Sequence, residues 1–590
     1  MKIRKILFTT IFLAVCWMMR AQDTLIVSLD EPGTLEAQLT QISQSARYNT
    51  ASLTVLGPVN GADMMFIRDM CGVKNLNTPT AGILSSLDLG DASVVTSDEP
   101  YITVYDTDYT THPDEFGPFF LYNCKSLTEL TLPKDIVAVD TMAFAGCENL
   151  QSLELPGTLN YIGMGAFLNC NSIKRLNVPN EVTELGVGAF QRMNGLEELT
   201  LGNGITEIEN SIVVLDTSLK IINLGFRFRT FDPIVFYNTP SLQQINVNEY
   251  NPYYVSLDGV LFSTGSDTLV TFPAAYPAEQ YEIPEGVRHI APYAFMNAAQ
   301  LQQVVMPATV GVVDTLAFFG CSQLKEVLGA KGLTTLRFGA FGMMPGEEGG
   351  LASFLIPSTL SMMEGGAFLG NTMVMLEVDP DNPYYVSDEQ GLVYTSDLSK
   401  LCLVPGISES VSLPASVSTI GEYAFSTTHV LTEINLPYVT TICDEAFAFA
   451  LGVETIILGN YINKVGAQVV DYCTSLKDLY VFADDIPDEN LHEFAFLDET
   501  GTAMEQCVLH VKPGKTIAYL TKRGFYSEEY EMFFFADITE IEDPDAVGQM
   551  TTHVQSPSYF GIDGIRKRFL SKGLNIISLP GGVNIKKAIK

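Results

Sequence analysis

Tryptophan, basic side chains and histidine are all scarce in this chain, and each shortage closes off a class of function. Its one tryptophan, Trp17, falls in the amino-terminal apolar run, so no indole is available for the rest of the molecule. Against 69 Asp+Glu there are only 33 Lys+Arg, a formal net charge of −36 at pH 7. Nucleic acid and anionic lipid both demand a basic surface, so neither is an expected partner. The six histidines, His112, His289, His429, His492, His510 and His553, are scattered without an HExxH pair. GxSxG and phosphate-loop patterns are also missing, as is any CxxC pair, so hydrolytic, nucleotide, zinc and redox chemistry lose their usual signatures. No cofactor or metal is therefore expected. Beyond the first twenty residues no apolar run is long enough to span a bilayer.

What is present is a mostly apolar, weakly charged chain. Hydrophobic residues are 47% and charged residues 17%, which favours a folded protein over a disordered one. At 590 residues, one compact core is too small a container, so several domains or a repeat array are expected. The opening MKIRKILFTTIFLAVCWMMRAQ has the layout of a secretion signal: Lys2, Arg4 and Lys5, then an apolar run from Ile6 to Met19. Cleavage after Ala21 would leave 29 Lys+Arg against 69 Asp+Glu, a formal charge of −40. A lipid anchor on Cys16 is the alternative, and its neighbours Val15 and Trp17 fit that poorly. Nine cysteines then remain, an odd number. Cys124, Cys147, Cys170, Cys321 and Cys473 each stand three residues before a leucine or isoleucine, and buried thiols are favoured over disulfides at such positions.

Those cysteines belong to a repeat. Ala-Phe pairs occur at Ala143-Phe144, Ala166-Phe167, Ala189-Phe190, Ala294-Phe295, Ala317-Phe318, Ala340-Phe341, Ala367-Phe368, Ala424-Phe425 and Ala446-Phe447, and five of the eight spacings are 22 or 23 residues. Each unit begins with a run such as Leu127-x-x-Leu130-x-Leu132-Pro133, a short strand with Leu130 and Leu132 inward and a proline that ends the ladder. A second apolar segment, such as Tyr161-Ile162-Gly163, precedes the next Ala-Phe. One unit cannot enclose a core, but stacked units can. The expected fold is a leucine-rich-repeat solenoid of about 23-residue repeats, with a parallel β-sheet on its concave face, two β-hairpin insertions, terminal caps and a small C-terminal β module.

The pattern Leu-x-x-Ile/Leu-x-Leu-Pro-x-x-Val-x-x-Ile-Gly-x-x-Ala-Phe-x-x-Cys, nearly complete in LPASVSTIGEYAF at 413–425, resembles the BspA-type leucine-rich repeats of bacterial surface proteins. The likeness covers roughly 116–483 and implies a secreted or surface-displayed protein that binds other macromolecules, some members being adhesins. Residues 559–590 resemble short carboxy-terminal modules of secreted proteins in Gram-negative anaerobes, some of them sorting signals, which implies the surface or secretion of a Gram-negative bacterium. Two gaps in the Ala-Phe lattice hold similar text, NPYYVSLDGVLFSTGSDTLVTFP at 251–273 and NPYYVSDEQGLVYTSDLSKLCLVP at 382–405. In the first, Val260–Phe262 and Leu269–Phe272 read as a hairpin joined by Ser263–Thr268. The expected divisions are a signal peptide at 1–21, a capping region at 22–115, repeats at 116–483, a second cap at 484–542, a linker at 543–558 and a β module at 559–590.

Candidate binding residues are those flanking the inward leucines, because alternate strand positions face out. They are Glu129, Glu154, Arg175, Asn177, Glu198, Asn223, Gln244 and Asn246, with Tyr480 further along. The paired tyrosines of the insertions, Tyr253, Tyr254, Tyr384 and Tyr385, form a second candidate surface. No catalytic residue is assigned. The acidic stretch Tyr105–Glu115 could be imagined to hold calcium, but it lacks the order of an EF-hand loop and reads as a solvated loop. The expected partner is an extracellular protein, bound in adhesion to host or matrix proteins. A glycan is the alternative, and a hydrolase hidden in 22–115 or 484–590 comes third.

Overall fold

A computed structural model describes residues 24–208, 212–213, 216–236, 239–344, 346–347, 349–371, 375–497, 506–527 and 532–541, and the backbone of short strands between 558 and 589. The expected signal peptide and linker lie outside the described residues. The chain divides into two units, one of residues 1–266 and 271–276, the other of 267–270 and 277–590.

In both units each repeat makes one coil with two short parallel strands, so the fold is a leucine-rich-repeat solenoid. The first strand carries the Leu-x-Leu pattern. In the first unit Leu25–Ser28, Ser52–Val59, Ser86–Asp88, Glu129–Thr131 and Ser152–Glu154 form one parallel run, and Arg175–Asn177, Glu198–Thr200, Ile221–Leu224 and Gln244–Val247 another. Register is kept coil by coil: Leu176 lies beside Leu199, Leu199 beside Ile222, and Ile222 beside Ile245. All four are buried, because burying the central residue of each strand fixes the side on which its two neighbours emerge. The second strand comes from the segment after the proline. Glu115–Phe116, Ala138–Val139, Tyr161–Ile162 and Glu184–Leu185 pair in parallel there.

The Ala-Phe turn closes each coil. The residue before alanine is held at positive φ at Met142, Gly165, Gly188, Tyr293, Leu316, Gly339, Gly366, Tyr423 and Glu445. A left-handed residue is what the corner requires, which is why glycine holds four of the nine positions. Beyond the corner, phenylalanine points inward and its amide reaches the next coil: Phe144 N–H donates to the Ala166 carbonyl at 2.9 Å, and Phe318 N–H to Ala340 at 2.8 Å. The rings follow one another, with centroid separations of 5.2 Å from Phe144 to Phe167 and 5.8 Å from Phe167 to Phe190. In the second unit Phe295, Phe318, Phe341 and Phe368 continue at 4.4, 5.0 and 5.8 Å, all stacked. These spacings suit aromatic pairs, and the rings are wholly buried.

The cysteines finish the turn. All nine in the described residues are free thiols, seven of them buried. Cys170 Sγ–H donates to the Phe144 carbonyl at 3.1 Å, Cys321 to Phe295 at 3.0 Å and Cys473 to Phe447 at 3.0 Å. A sulfur three residues after the inward phenylalanine, or after Val470 in the case of Cys473, thus serves the carbonyl of the preceding coil. Asn371 occupies the same turn position and makes the same bond, Nδ2 to Phe341 O at 3.0 Å.

The 251–273 and 382–405 stretches contain an element the sequence reading missed. In the first unit Tyr254–Leu257 pairs antiparallel with Val260–Ser263, turning at Asp258 and Gly259, both at positive φ. In the second unit Tyr385–Ser387, Val393–Thr395 and Lys400–Leu403 form a three-stranded antiparallel ribbon. At the amino end, Asn60 caps the helix Gly61–Met70 in a reciprocal capping box with Asp63. At the carboxyl end, the strand Val508–Val511 joins the sheet beside Asp478–Val481, and Asp537–Glu540 follows. Past 557 the backbone strands Ser558–Phe560, Arg566–Lys567, Gly573–Ser578 and Asn584–Ile589 pair antiparallel.

Candidate functional site

The outward neighbours of the buried leucines form ordered rows. Across the first unit's sheets, Glu129 faces Ser152, Thr131 faces Glu154, Arg175 faces Glu198, and Asn177, Thr200, Asn223 and Asn246 stand in one register line. Glu129, Glu154, Arg175, Asn177 and Gln244 are exposed, and Glu198, Asn223 and Asn246 are half-buried. Several already bond each other. Asn223 Nδ2 donates to Thr200 Oγ1 at 3.0 Å and to Glu198 Oε1 at 3.1 Å, Asn246 Nδ2 donates to Asn223 Oδ1 at 3.0 Å, and Arg175 Nε lies 3.4 Å from Glu198. An amide ladder of this kind fixes side-chain directions while leaving acceptors and donors facing solvent. The row thus lines up hydrogen-bonding groups strand after strand.

Tyr480 requires a correction. It projects from the outer side of Asp478–Val481, as alternation demands, but it is only 9% exposed. The His510 ring stacks on it at 4.1 Å and 11°, and Ile457 and Phe482 complete an apolar cluster on that side of the sheet. Burial pushes the Tyr480 hydroxyl up to about 12, aided by the Asp478 and Glu433 charges. Tyr480 is therefore a packed residue. His510 itself is held from both sides, Nε2 with Asp478 Oδ1 at 2.8 Å and Nδ1 with Thr539 Oγ1 at 2.7 Å. Nothing in the sequence could have joined these three, since 61 residues separate Asp478 from Thr539.

The paired tyrosines also divide. Tyr253 and Tyr384 are 49% and 50% exposed, whereas Tyr254 and Tyr385 are half-buried. The Tyr254 hydroxyl donates to the Arg229 carbonyl at 2.9 Å, and the Tyr385 hydroxyl accepts from Met363 N–H at 3.0 Å. The second tyrosine of each pair is thus an anchor, and only the first faces solvent. Both pairs hang from a buried asparagine. Asn251 Oδ1 accepts from Tyr253 and Tyr254 N–H at 2.8 and 2.9 Å, while its Nδ2 donates to the Gly225 and Phe228 carbonyls. Asn382 repeats all four bonds with Tyr384, Tyr385, Pro357 and Leu360.

The acidic stretch after Tyr105 is the tip of a ribbon, Ser97–Val104 with Thr107–Thr111, in which Asp108 is tied to Thr103 Oγ1 at 2.6 Å. Among the described residues no group of three or more His, Cys, Asp or Glu could hold a metal ion, and no helix is long and apolar enough to cross a membrane.

Paired strands, a phenylalanine corner and a recurring turn thiol define a leucine-rich-repeat protein. Comparison with known families is more specific: six copies of the BspA type leucine rich repeat region match residues 114–245, 271–380 and 407–498, more than half of the chain. The chain belongs to the BspA-type leucine-rich-repeat family. No curated protein matches it. Among solved structures it is similar to a leucine-rich repeat protein of Bacteroides ovatus, with 20% identity, 62% of this chain and 76% of that one covered, and a TM-score of 0.31. A leucine rich cell surface protein of Faecalibacterium prausnitzii gives 20% identity over 68% and 79% of the two chains, with a TM-score of 0.33. The pneumococcal vaccine antigen PcpA gives 17% identity over 72% and 84%, with a TM-score of 0.36.

Proposed function

We propose that this chain is a secreted or surface-displayed binding protein, without catalytic activity of its own, that presents its outward strand rows to a protein partner. Adhesion to host or matrix proteins is the use we assign to it. The observation that carries the reading is the register line of Asn177, Thr200, Asn223 and Asn246, with Arg175 beside Glu198 in the neighbouring line, polar groups repeated strand by strand on a scaffold whose other side is consumed by the core. The amino-terminal sequence supports export. Immobilised full-length chain should retain at least one of a panel of matrix proteins, and an Arg175→Glu, Asn223→Lys variant should lose it. Failure to retain any matrix protein, mucin or cell would contradict the reading.

Two other readings have an observation each. Tyr253 and Tyr384, exposed on identical frames, favour a glycan, and a glycan array distinguishes that case. The Asp478–His510–Thr539 chain has the connectivity of an activated hydroxyl nucleophile. Ester hydrolysis abolished by Thr539→Val would establish a hydrolase. We expect none, because Tyr480 covers one face of the imidazole and Thr539 sits mid-strand.

A further inference from the structure

The coil edge around Asn251 differs from its counterpart around Asn382 in a way the fold does not require. Two stacked turns meet at Asn251. Gly225-Phe226-Arg227-Phe228 is closed by Phe228 N–H to Gly225 O at 3.3 Å, and Asn248-Glu249-Tyr250-Asn251 by Asn251 N–H to Asn248 O at 2.9 Å. Since Leu224 is in register with Val247, Arg227 and Tyr250 occupy equivalent places on adjacent coils. Tyr253 follows two residues after Asn251, and the Arg229 carbonyl holds the neighbouring Tyr254 hydroxyl at 2.9 Å. Phe226, Tyr250 and Tyr253 are 40%, 74% and 49% exposed, and Arg227 and Arg229 are exposed between them.

Three asparagines hold this surface in place. Phe226 N–H donates to Asn203 Oδ1 at 2.9 Å, Tyr250 N–H to Asn248 Oδ1 at 3.0 Å and Tyr253 N–H to Asn251 Oδ1 at 2.8 Å. Three aromatic side chains thus stand in solvent on pinned backbone, at little cost in ordering when a partner binds. Among the described residues no carboxylate lies within ion-pair distance of Arg227 or Arg229, although acids outnumber bases 69 to 33 in the chain. Glu249, on the adjoining turn, is exposed and unpaired with either guanidinium.

The second copy of the asparagine lock is an internal control. Where the first has Phe226, Arg227 and Arg229, the bonds from Asn382 to Pro357 and Leu360 place Ser358, Thr359 and Ser361. Where the first has Tyr250, the second has Asp381. The second frame keeps a tyrosine, Tyr384, at the place of Tyr253, but closes without counterparts of Phe226, Arg227, Arg229 and Tyr250, so turn geometry does not account for those four.

We propose that Phe226, Arg227, Arg229, Tyr250 and Tyr253 form a docking surface for an acidic polypeptide segment that carries apolar or aromatic side chains beside its carboxylates. It rests on the reading of the chain as a protein-binding scaffold but lies off the strand rows. Guanidinium groups bind carboxylates in bidentate fashion, and tyrosine with arginine is the composition of interface anchors. Phe226 has no hydrogen-bonding group and suits an apolar side chain better than a sugar hydroxyl. A net acidic molecule repels an acidic partner elsewhere, so two guanidinium groups without an ion pair among the described residues also select the place of docking.

The test uses the full chain against immobilised glutamate–tyrosine copolymer, polyglutamate and chondroitin sulfate. The copolymer should bind more tightly than the other two, and binding should fall with added salt. An Arg227→Glu, Arg229→Glu variant and a separate Tyr250→Ser, Tyr253→Ser variant should each weaken it about tenfold or more, with an unchanged melting temperature. Should one pair lower the melting temperature, the other carries the test. An Arg175→Glu, Asn223→Lys variant should bind the copolymer normally; its failure to do so would place the ligand on the strand rows, overturning this surface while leaving the scaffold reading intact. No copolymer binding, insensitivity to both edge variants, or equal binding of chondroitin sulfate would also overturn it.

Discussion

At the position where other turns carry a thiol, three residues after Val213, the chain has Asp216, a wholly buried carboxyl. Its Oδ1 accepts from Met193 N–H at 2.7 Å, while Oδ2 has no partner among the described residues. Burial raises it to about 8, opposed by the Met193 bond, so it is neutral at pH 7 in the folded chain. Its folded pKa lies above the unfolded value. The stability it allows is therefore complete at acid pH and declines as pH rises through about 8. Each tenfold difference in proton affinity is worth about 1.4 kcal/mol, so several kcal/mol are at stake. The loss runs from the unfolded value of about 4 up to about 8, so Asp216→Asn should raise the melting temperature most at pH 9 and least below pH 4, as calorimetry at both pH values would show. The thiols give a second expectation. Burial pushes Cys321 up to about 12 and Cys170 higher still. Of the nine cysteines among the described residues, only half-buried Cys402 and Cys443 should react with an aromatic disulfide reagent in the native chain, and all nine after unfolding. Rapid native reaction of Cys147 or Cys170 would contradict the turn structure.

The strand–turn elements depend on a few buried polar groups. Removing the side chain of Asn251 or Asn382 leaves two N–H groups and two carbonyls without their partner. Asn251→Ala or Asn382→Ala should cost about 3 kcal/mol, measured by denaturant unfolding, and loosen the following antiparallel ribbon. Asn→Asp should fare no better, since a carboxylate cannot donate to the two carbonyls. The repeat strands were legible from Leu-x-Leu alternation and the closing proline, because the sequence there answers to one buried face. The strand Tyr254–Leu257 was not. Tyr254, Val255 and Ser256 are half-buried and Leu257 is exposed, so no alternation marks the strand, and its pairing depends on the Asp258-Gly259 turn. The division of each tyrosine pair into anchor and exposed ring was equally invisible, because it depends on carbonyls and amides in other coils.

Across each unit the repeat is a statement about neighbours: coil after coil completes the turn hydrogen bonds of the one before it, and most add a ring contact. That is why the period could be read directly, while the outer surface could be read only as a list of outward positions. Asn223 and Glu198 proved to be tied into a ladder, Tyr480 to be buried beneath His510, and the arginines beside Tyr253 to be exposed with no ion pair among the described residues. Burial alternation says which way a side chain leaves the strand, not what meets it there. The most direct test is hydrogen exchange of the native chain read by mass spectrometry. Peptides holding Phe144, Phe167, Phe295, Phe318 and Phe341, whose amides donate to the next coil, should exchange slowest, far behind the ribbon tip at Tyr105. If those phenylalanine turns exchange as fast as the tip, the coils do not share a spine and the scaffold account fails.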